Sequence, residues 1–386
     1  PKAGEEPLPY TGAGVLVNSG SFDGMENEAA KKAIVEALEK TEHGALKVNY
    51  RMRDWLISRQ RYWGAPIPMI HCPHCGAVPV PEEDLPVLLP YDVDFTPDGT
   101  SPLLKHEGFM NTTCPVCGAP AKRDADTMDT FVCSSWYYLR YPDCSNAAQA
   151  FDKKIVDEML PVDVYIGGAE HACMHLLYAR FFTKALRDMG LLDFDEPFMR
   201  LVNQGLILGS DGEKMSKSRG NVVAPDDYIE VYGSDVFRMY LEFGFNYIEG
   251  GAWNDEGIKA MARFLDRVDR LVQRIAEQKK AADLPGHVFG QEPARRDGSA
   301  AEQELRFVLA NTIQKVTEDL ERMSFNTAIA RLMELVNTMY RYLDAGAEKN
   351  VPLLVYAAET LSLLMAPFSP HFAEELHAAL GGEKEF

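Results

Sequence analysis

The string Lys214-Met215-Ser216-Lys217-Ser218, continued by Arg219-Gly220-Asn221, concentrates the chain's most reactive residue types. Two lysines and two hydroxyls within five residues suit a phosphate chain that gains charge in a transition state. Gly209, Gly212 and Gly220 flank the string and supply mobility and close backbone approach. At average composition such a string arises by chance about once in ten thousand chains of this length. The bland alternative is a solvated basic loop.

A second constellation is Cys72-x2-Cys75 with Cys114-x2-Cys117. Paired knuckles of this kind suit tetrahedral Zn²⁺, each giving two thiolates. Gly76 and Gly118 follow the pairs and permit tight turns, and the 38 residues between the pairs imply that a subdomain loops out. His71 and His74 are alternative ligands, and four free thiols are the alternative to a metal. Cys133, Cys144 and Cys173 fit no ligand spacing and read as ordinary thiols. Seven cysteines, an odd number, fit a reducing compartment rather than a disulfide scaffold.

Gly167-Gly168 ends an apolar strand and precedes a helix, the place where an open α/β sheet binds ligands. Backbone there can approach a ribose or phosphate, and Glu170 can accept ribose hydroxyls. His171 and His175 share one face of the expected helix. As a zinc pair they lack a third ligand and the H-E-x-x-H pattern. For His175 a packed, hydrogen-bonded imidazole is the competing reading. Arg263, Arg267, Arg270 and Arg274 follow a 4-3-4 spacing and form one helix stripe. Phe264, Leu265, Val268, Leu271, Val272 and Ile275 form the apolar face beside it. The stripe reads as a phosphate-contacting surface, or as a solvated face paired with Asp266 and Asp269.

The elements that must position these residues fall into five segments. Residues 1–46 open with a Gly-rich stretch containing Thr11, Gly12 and Gly14, then a short strand at Val15–Val17 and a helix from about Glu26 to Lys40. They read as the tail of a domain. Residues 47–70 are a basic linker, and 71–125 a Pro-, Gly- and Cys-rich zinc module. Residues 126–257 alternate strands and helices in the manner of a parallel α/β sheet, with strands at Val162–Ile166 and Leu201–Leu208, a helix at Glu170–Met189, and the lysine loop at 209–221. Residues 258–386 read as a helix bundle, with helices at about 254–280, 300–322, 325–346 and 351–365, and one from about 370. A loop is expected at 283–299. The fold class is therefore α/β plus all-α.

With these residues in view, the chain resembles the class I aminoacyl-tRNA synthetases, whose lysine loop stabilises ATP pyrophosphate. Three further segments are similar to the bacterial leucyl branch. Ser58-Arg59-Gln60-Arg61-Tyr62-Trp63-Gly64-Ala65-Pro66-Ile67-Pro68 resembles the return from an editing insertion to the catalytic core. Asp129-Thr130-Phe131 with Ser134-Ser135-Trp136-Tyr137-Tyr138 is similar to the amino-acid pocket strand. Tyr165-Ile166-Gly167-Gly168-Ala169-Glu170-His171 is similar to the nucleotide-facing turn. The resemblance implies that Lys214 and Lys217 are catalytic on the triphosphate. It implies that Gly167, Gly168, Glu170, Gln204, Gly205, Ile207, Met215, Ser216, Lys217 and Ser218 bind ATP with Mg²⁺, and that Phe131, Ser134, Tyr137 and His171 hold leucine. It further implies that Cys72, Cys75, Cys114 and Cys117 hold a structural Zn²⁺, and that the arginine stripe contacts tRNA(Leu) from an anticodon-binding domain. A half Rossmann-like catalytic domain, a monomeric state and a cytoplasmic location follow from the same resemblance.

The second signature of that class, H-x-G-H, is missing; the nearest string is His171-Ala-Cys-Met-His175. The expectation is a piece lacking an N-terminal half, most of an editing domain and a C-terminal domain, and inactive alone. Isoleucyl or valyl relatives, and a non-catalytic RNA-binding protein derived from a synthetase, are the competing readings.

Composition sets the outer bounds. The 386 residues include 46% hydrophobic and 25% charged residues, ordinary for a folded protein. No stretch is apolar and long enough for a transmembrane helix, so no membrane partner is expected. No signal-peptide pattern is present. A net charge of −19 and a pI near 4.9 argue against a nonspecific polyanion binder. Yet 47–63 and 258–280 are each net +4.

Overall fold

The computed structural model describes residues 12–49, 51, 54–96, 98–284, 293, 298–346 and 348–382. Thr11, much of the 283–299 loop and the last four residues lie outside them. The chain forms two compact units, Pro1–Asp129 and Thr130–Phe386.

In the first unit, α1 spans Asn27–Lys40, with Glu26 extended at its N-terminus. The expected strand at Val15–Val17 reduces to a single bridge between Val15 and Glu26. Strand β1 (Ser58–Arg59) opens the cysteine-bearing region. There β2 (Met69–Cys72), β3 (Gly76–Pro79), β4 (Asn111–Thr113) and β5 (Pro120–Arg123) form an antiparallel sheet in the order β3-β2-β5-β4. Short helices α2 (Pro102–Lys105) and α3 (Glu107–Met110) lie in the excursion between the knuckles. Strand β6 (Thr127–Met128) pairs antiparallel with β1. The sheet's buried apolar set is small: Ile70, Val78, Val80 and Ala121 with the sulfurs of Cys72 and Cys114.

Much of the basic segment before this sheet is used internally. Arg59 pairs with the buried Asp129. The Arg61 guanidinium donates to the Met128 carbonyl (3.1 Å) and the Trp63 carbonyl (3.0 Å). Thr127 Oγ1 donates to the carbonyls of Arg61 and Trp63. Positive charge read from the sequence as an island is thus partly neutralised by β6 and its neighbours.

The second unit begins with α4 (Thr130–Ser134) and α5 (Tyr137–Arg140). This corrects the expectation of a pocket strand over Asp129–Phe131 and Ser134–Tyr138. Ser135 turns the chain locally, its N–H and hydroxyl both donating to the Val132 carbonyl, so backbone bonds close within the segment. After α6 (Lys153–Met159), β7 (Tyr165–Gly168) lies parallel to β8 (Leu201–Gln204). Between them the expected single helix is two pieces: a 3₁₀ turn, Ala169–Cys173, and α7, His175–Asp188. Met174, at φ −124° and ψ −107°, breaks the run. Gly190, at φ +77°, ends it as expected.

The expected strand Leu201–Leu208 is likewise broken, at Gly205. The Gly205 N–H donates to Tyr247 O (2.8 Å), and a Cβ there would lie 2.1 Å from the Gly250 nitrogen. This close backbone approach admits only glycine. Strand β9 (Leu206–Leu208) then pairs in parallel with β10 (Gly250–Ala252), a strand the sequence reading missed. Helices α8 (Pro225–Tyr232) and α9 (Ser234–Phe243) lie between β9 and β10 in sequence.

The bundle comprises α10 (Asp255–Ala281), α11 (Ala300–Glu321), α12 (Phe325–Asp344), α13 (Val351–Met365) and α14 (Pro370–Ala379). These match the periodicity reading to within about two residues. Asn254 caps α10 by accepting from Glu256 N–H, and Ser299 caps α11 by accepting from Glu302 N–H. One continuous apolar core runs through the bundle and includes Val236, Phe237, Met239 and Tyr240 of α9. Ile207 of β9 and Met215 of the lysine loop pack against it.

Candidate functional site

The two glycines that end β7, Gly167 and Gly168, turn the chain into the 3₁₀ segment and leave the backbone bare. With its amide oriented by its hydrogen bonds, Gln204 donates to Gly167 O (2.9 Å) and accepts from Gly168 N–H (3.3 Å). The end of β8 thus fixes the turn. Glu170 folds back over Gly168, where a Cβ would meet its carboxylate at 2.3 Å, while the space at Gly167 is open. The result is an exposed carboxylate above a bare backbone edge.

Beside this turn stands an aromatic wall. The Phe131 ring lies 6.3 Å from His171 and 5.8 Å from Tyr178, centroid to centroid. Tyr137 stacks on His175 at 6.1 Å. A hydrogen-bonded chain links four side chains: the hydroxyls of Tyr137 and Tyr165 are 2.6 Å apart, Tyr165 OH is 2.7 Å from His175 Nε2, and His175 Nδ1 is 3.1 Å from Ser134 Oγ. The structure therefore places His175 as a buried, hydrogen-bonded imidazole, the packed reading, and not as half of a zinc pair. Burial first, and then the neighbouring His171, lower its pKa and favour the neutral ring. Burial and the Tyr137 hydroxyl push the Tyr165 phenol upward. Among the described residues, His171 Nδ1 is buried without a hydrogen-bond partner, an unused polar atom on the wall. Tyr178, one turn after His175 on α7, was not singled out from the sequence, and Tyr165 was quoted only as the start of the glycine string; their places on the wall become recognisable once the helix break is known.

The lysine loop follows β9 directly. Leu208 bridges Lys214 antiparallel, and Gly209 N–H donates to Glu213 O (2.8 Å), closing a tight reversal. Gly212 and Gly220 take φ of +76° and +68°, the left-handed conformation that glycine adopts without cost. Ser216 and Ser218 hydroxyls lie 2.8 Å apart, and Arg219 pairs with Glu213 at 3.0 Å. Lys214 and Lys217 are exposed, and neither has an ion-pair partner among the described residues. The loop presents two unpaired ammonium groups on a fixed backbone.

The four cysteine sulfurs converge, all within 4.8 Å of one another. Cys72 and Cys117 sulfurs are 3.7 Å apart. A regular Zn–S₄ tetrahedron with bonds of about 2.3 Å has edges of about 3.8 Å. Backbone N–H groups of Cys75 and His74 aimed at Cys72 pull its thiol down to about 6. Crowding against the Cys117 and Cys114 sulfurs pushes Cys75 up to about 12. Four sulfurs this close repel as thiolates, so the donor set fits a soft divalent cation. His71 is engaged instead with Asp124 at 3.0 Å.

On the bundle, Arg263, Arg267, Arg270 and Arg274 are all exposed on α10. The competing reading, pairing with Asp266 and Asp269, has no ion pair behind it among the described residues: Arg270 reaches the Asp266 carbonyl, and Asp269 accepts from Gln273. Tyr340 of α12 lies under Arg267 (4.8 Å) and Arg274 (5.9 Å), and its hydroxyl donates to the Arg267 carbonyl at 2.7 Å. Arg274 alone of the stripe has an ion pair among the described residues, with Asp344 at 2.7 Å. No described helix is long and apolar enough to cross a membrane.

Parallel strands ending in a glycine turn, with a lysine loop beyond them, place the α/β part of this chain among nucleotide-binding folds. Comparison with known proteins gives the particular family. Residues 25–249 match the family described as tRNA synthetases class I (I, L, M and V), and residues 302–386 match the anticodon-binding domain of tRNA ligase. The chain belongs to the class I tRNA synthetases. It is 58% identical to a leucine–tRNA ligase of Clostridium tetani over 98% of its own length and 45% of that relative's. To the leucine–tRNA ligase of Clostridium beijerinckii it is 60% identical, over 97% and 45%. Among solved structures it resembles LeuRS of Agrobacterium radiobacter, determined as a ternary complex with tRNA and LeuAMS. There the TM-score is 0.80 and the identity 41%, over 92% of this chain and 45% of the other. The chain thus spans about half the length of the curated relatives it matches.

Proposed function

We propose that this chain is the lysine-loop half of a leucine–tRNA ligase, which joins leucine to ATP, releases pyrophosphate and transfers leucine to tRNA(Leu). The observation that carries the reading is the pairing, within one unit, of an aromatic wall with a loop of unpaired lysines at the carboxyl ends of parallel strands. The 58–60% identity to leucine–tRNA ligases supports it.

In this reading Glu170 accepts the ribose hydroxyls, and the bare edge at Gly167-Gly168 lets the nucleotide lie against backbone. Gln204, Gly205 and Ile207 flank the adenine. Lys214 and Lys217, with Met215, Ser216 and Ser218 shaping the loop, bind the triphosphate that enters with Mg²⁺. Ammonium groups already free of internal carboxylates need no rearrangement as charge builds on the departing pyrophosphate. Phe131, Tyr137 and His171 enclose the leucine side chain, and Ser134 adds a hydroxyl held by His175. Such a pocket separates near-isosteres by only about 1–3 kcal/mol.

Cys72, Cys75, Cys114 and Cys117 would hold Zn²⁺, which would cross-link the two knuckles and play no part in the reaction. The arginine stripe contacts phosphates of the tRNA body, with Arg267 held ready by Tyr340. The segment boundaries at 46, 70, 125 and 257 stand as the proposed domain limits. The ligase acts as a cytoplasmic monomer; the absence of a disulfide among its seven cysteines fits a reducing compartment. Charging of a mixed tRNA pool by the complete enzyme tests the reading. Leucine alone should be esterified; charging with isoleucine or valine in its place would overturn it.

A further inference from the structure

One residue ties the lysine loop together. The Asn221 side chain accepts from Ser216 N–H (2.8 Å) and donates to both carboxylate oxygens of Asp211 (3.1 Å each), with a longer contact to Lys214 O (3.4 Å). Asp211 in turn accepts from Glu213 N–H at 3.0 Å. Backbone on both sides of Met215 is therefore anchored to a single amide ten residues downstream of Asp211. The pair sits over Gly209, where a Cβ would lie 2.6 Å from Asp211 Oδ1 and 2.8 Å from Asn221 Nδ2. Only glycine leaves room for this arrangement. Gly220 N–H closes the other end of the loop on Ser216 O (3.2 Å). Lys217 lies within that closed turn, while its own side chain has no partner among the described residues.

We propose that Asn221, held by Asp211, is the positioning residue that sets the backbone of the lysine loop and thereby aims Lys214 and Lys217. An amide suits the task because it offers an acceptor to Ser216 and donors to Asp211 at once. A carboxylate at 221 keeps the first bond, loses the others, and stands against Asp211. Combining Asp211→Asn with Asn221→Asp re-forms the pair with its polarity exchanged. The amide now at position 211 would donate to the new carboxylate, and its oxygen would still accept from Glu213 N–H. Binding and aiming are thus separable by a swap that leaves the lysines untouched.

The test has two arms. In the 386-residue chain, amide hydrogen exchange is followed for Asn221→Asp, Asp211→Asn and the double swap. Asn221→Asp should speed exchange across 209–221 by about tenfold or more, through lost hydrogen bonds and like-charge contact. The double swap should recover most of the protection, and the α10–α14 bundle should stay unchanged as the internal control. Full protection in Asn221→Asp, or no recovery in the double swap, would overturn the proposal. The second arm, resting on the ligase reading, measures leucine-dependent pyrophosphate exchange in the complete enzyme. Asn221→Asp should lower kcat about tenfold or more with KM for leucine unchanged, and the swap should restore it. A loosened loop with unaltered kcat would overturn the aiming role. If the unaltered enzyme shows no leucine-dependent exchange, the ligase reading fails, while the loop's architecture is still decided by the first arm.

Discussion

Removal of metal should unfold the cysteine-bearing sheet and leave the helix bundle intact. The reason lies in the size of the two cores. Four buried aliphatic side chains, Ile70, Val78, Val80 and Ala121, form this sheet's small core with two cysteines, and the half-buried Val87 packs against it. At about 1.5–3 kcal/mol for each larger side chain they contribute roughly 6–8 kcal/mol. Ordering the fifteen residues of β2, β3, β4 and β5 costs about 20 kcal/mol at ~1.5 per residue. Net ladder hydrogen bonding narrows the gap by a few kcal/mol. A shortfall on the order of 10 kcal/mol remains, the size that structural zinc contributes in small domains, about 10–16 kcal/mol. The bundle, by contrast, has a continuous core from Val236 to Leu380. The assay is hydrogen exchange on the chain before and after chelation, with zinc content measured in parallel. Protection should vanish at 69–79 and 111–123 and persist in α10–α14, and about one zinc per chain should be present at the start. Unchanged protection at the cysteine sheet in metal-free protein would refute the reasoning.

Other outcomes follow from single residues. Glu242 has a buried oxygen without a partner among the described residues, and burial lifts its carboxyl from 4.5 to about 7 against the weak pull of Arg238. Because the folded pKa is raised, its penalty is absent below about 4.5 and grows as pH rises toward 7. Glu242→Gln should therefore raise Tm at pH 8 by a few degrees, on the order of 1–2 kcal/mol after allowing for partial solvation, and leave it unchanged near pH 4. His175 is held neutral by burial, so protonation is penalised, and the penalty builds as pH falls below about 6.5. Stability should fall over that interval, and His175→Gln, which removes the titrating ring, should lessen the fall; an equal fall in both proteins would count against the buried, neutral imidazole. Arg267→Glu with Arg270→Glu should weaken tRNA binding and reduce the salt dependence by about two phosphate contacts; Arg274→Ala, whose guanidinium is already paired, should cost less. The 386-residue chain alone, which lacks H-x-G-H, should show no pyrophosphate exchange.

What could be read in the sequence tracks how local the governing physics is. Helices of the bundle were legible because the 3.6-residue apolar period is a local signal. The cysteine quartet was legible because the paired C-x-x-C spacing is a local signal, and the four sulfurs do converge to within 4.8 Å of one another. By contrast, the break at Gly205 depends on the Gly250 backbone 45 residues away, and β10 depends on β9 for its partner. A continuous apolar run conceals both. The split between Cys173 and His175 turns on one unusual Met174 conformation, and it moves His175 from a helix-face pair into a hydrogen-bond chain with Tyr165 and Ser134. Charge was the least legible quantity. Arg59 and Arg61 are spent on Asp129 and on carbonyls, whereas Arg263, Arg267 and Arg270 remain free of carboxylates among the described residues. Two segments of equal net charge thus have different fates, decided by what packs beside them.

The most direct test of the account is amino-acid-dependent pyrophosphate exchange by the complete enzyme, with and without Lys217→Ala. Leucine alone should drive exchange, and Lys217→Ala should lower kcat by about 10²–10³ with KM for leucine within about twofold. Exchange driven by another amino acid, or a Lys217→Ala enzyme as fast as its parent, would contradict it.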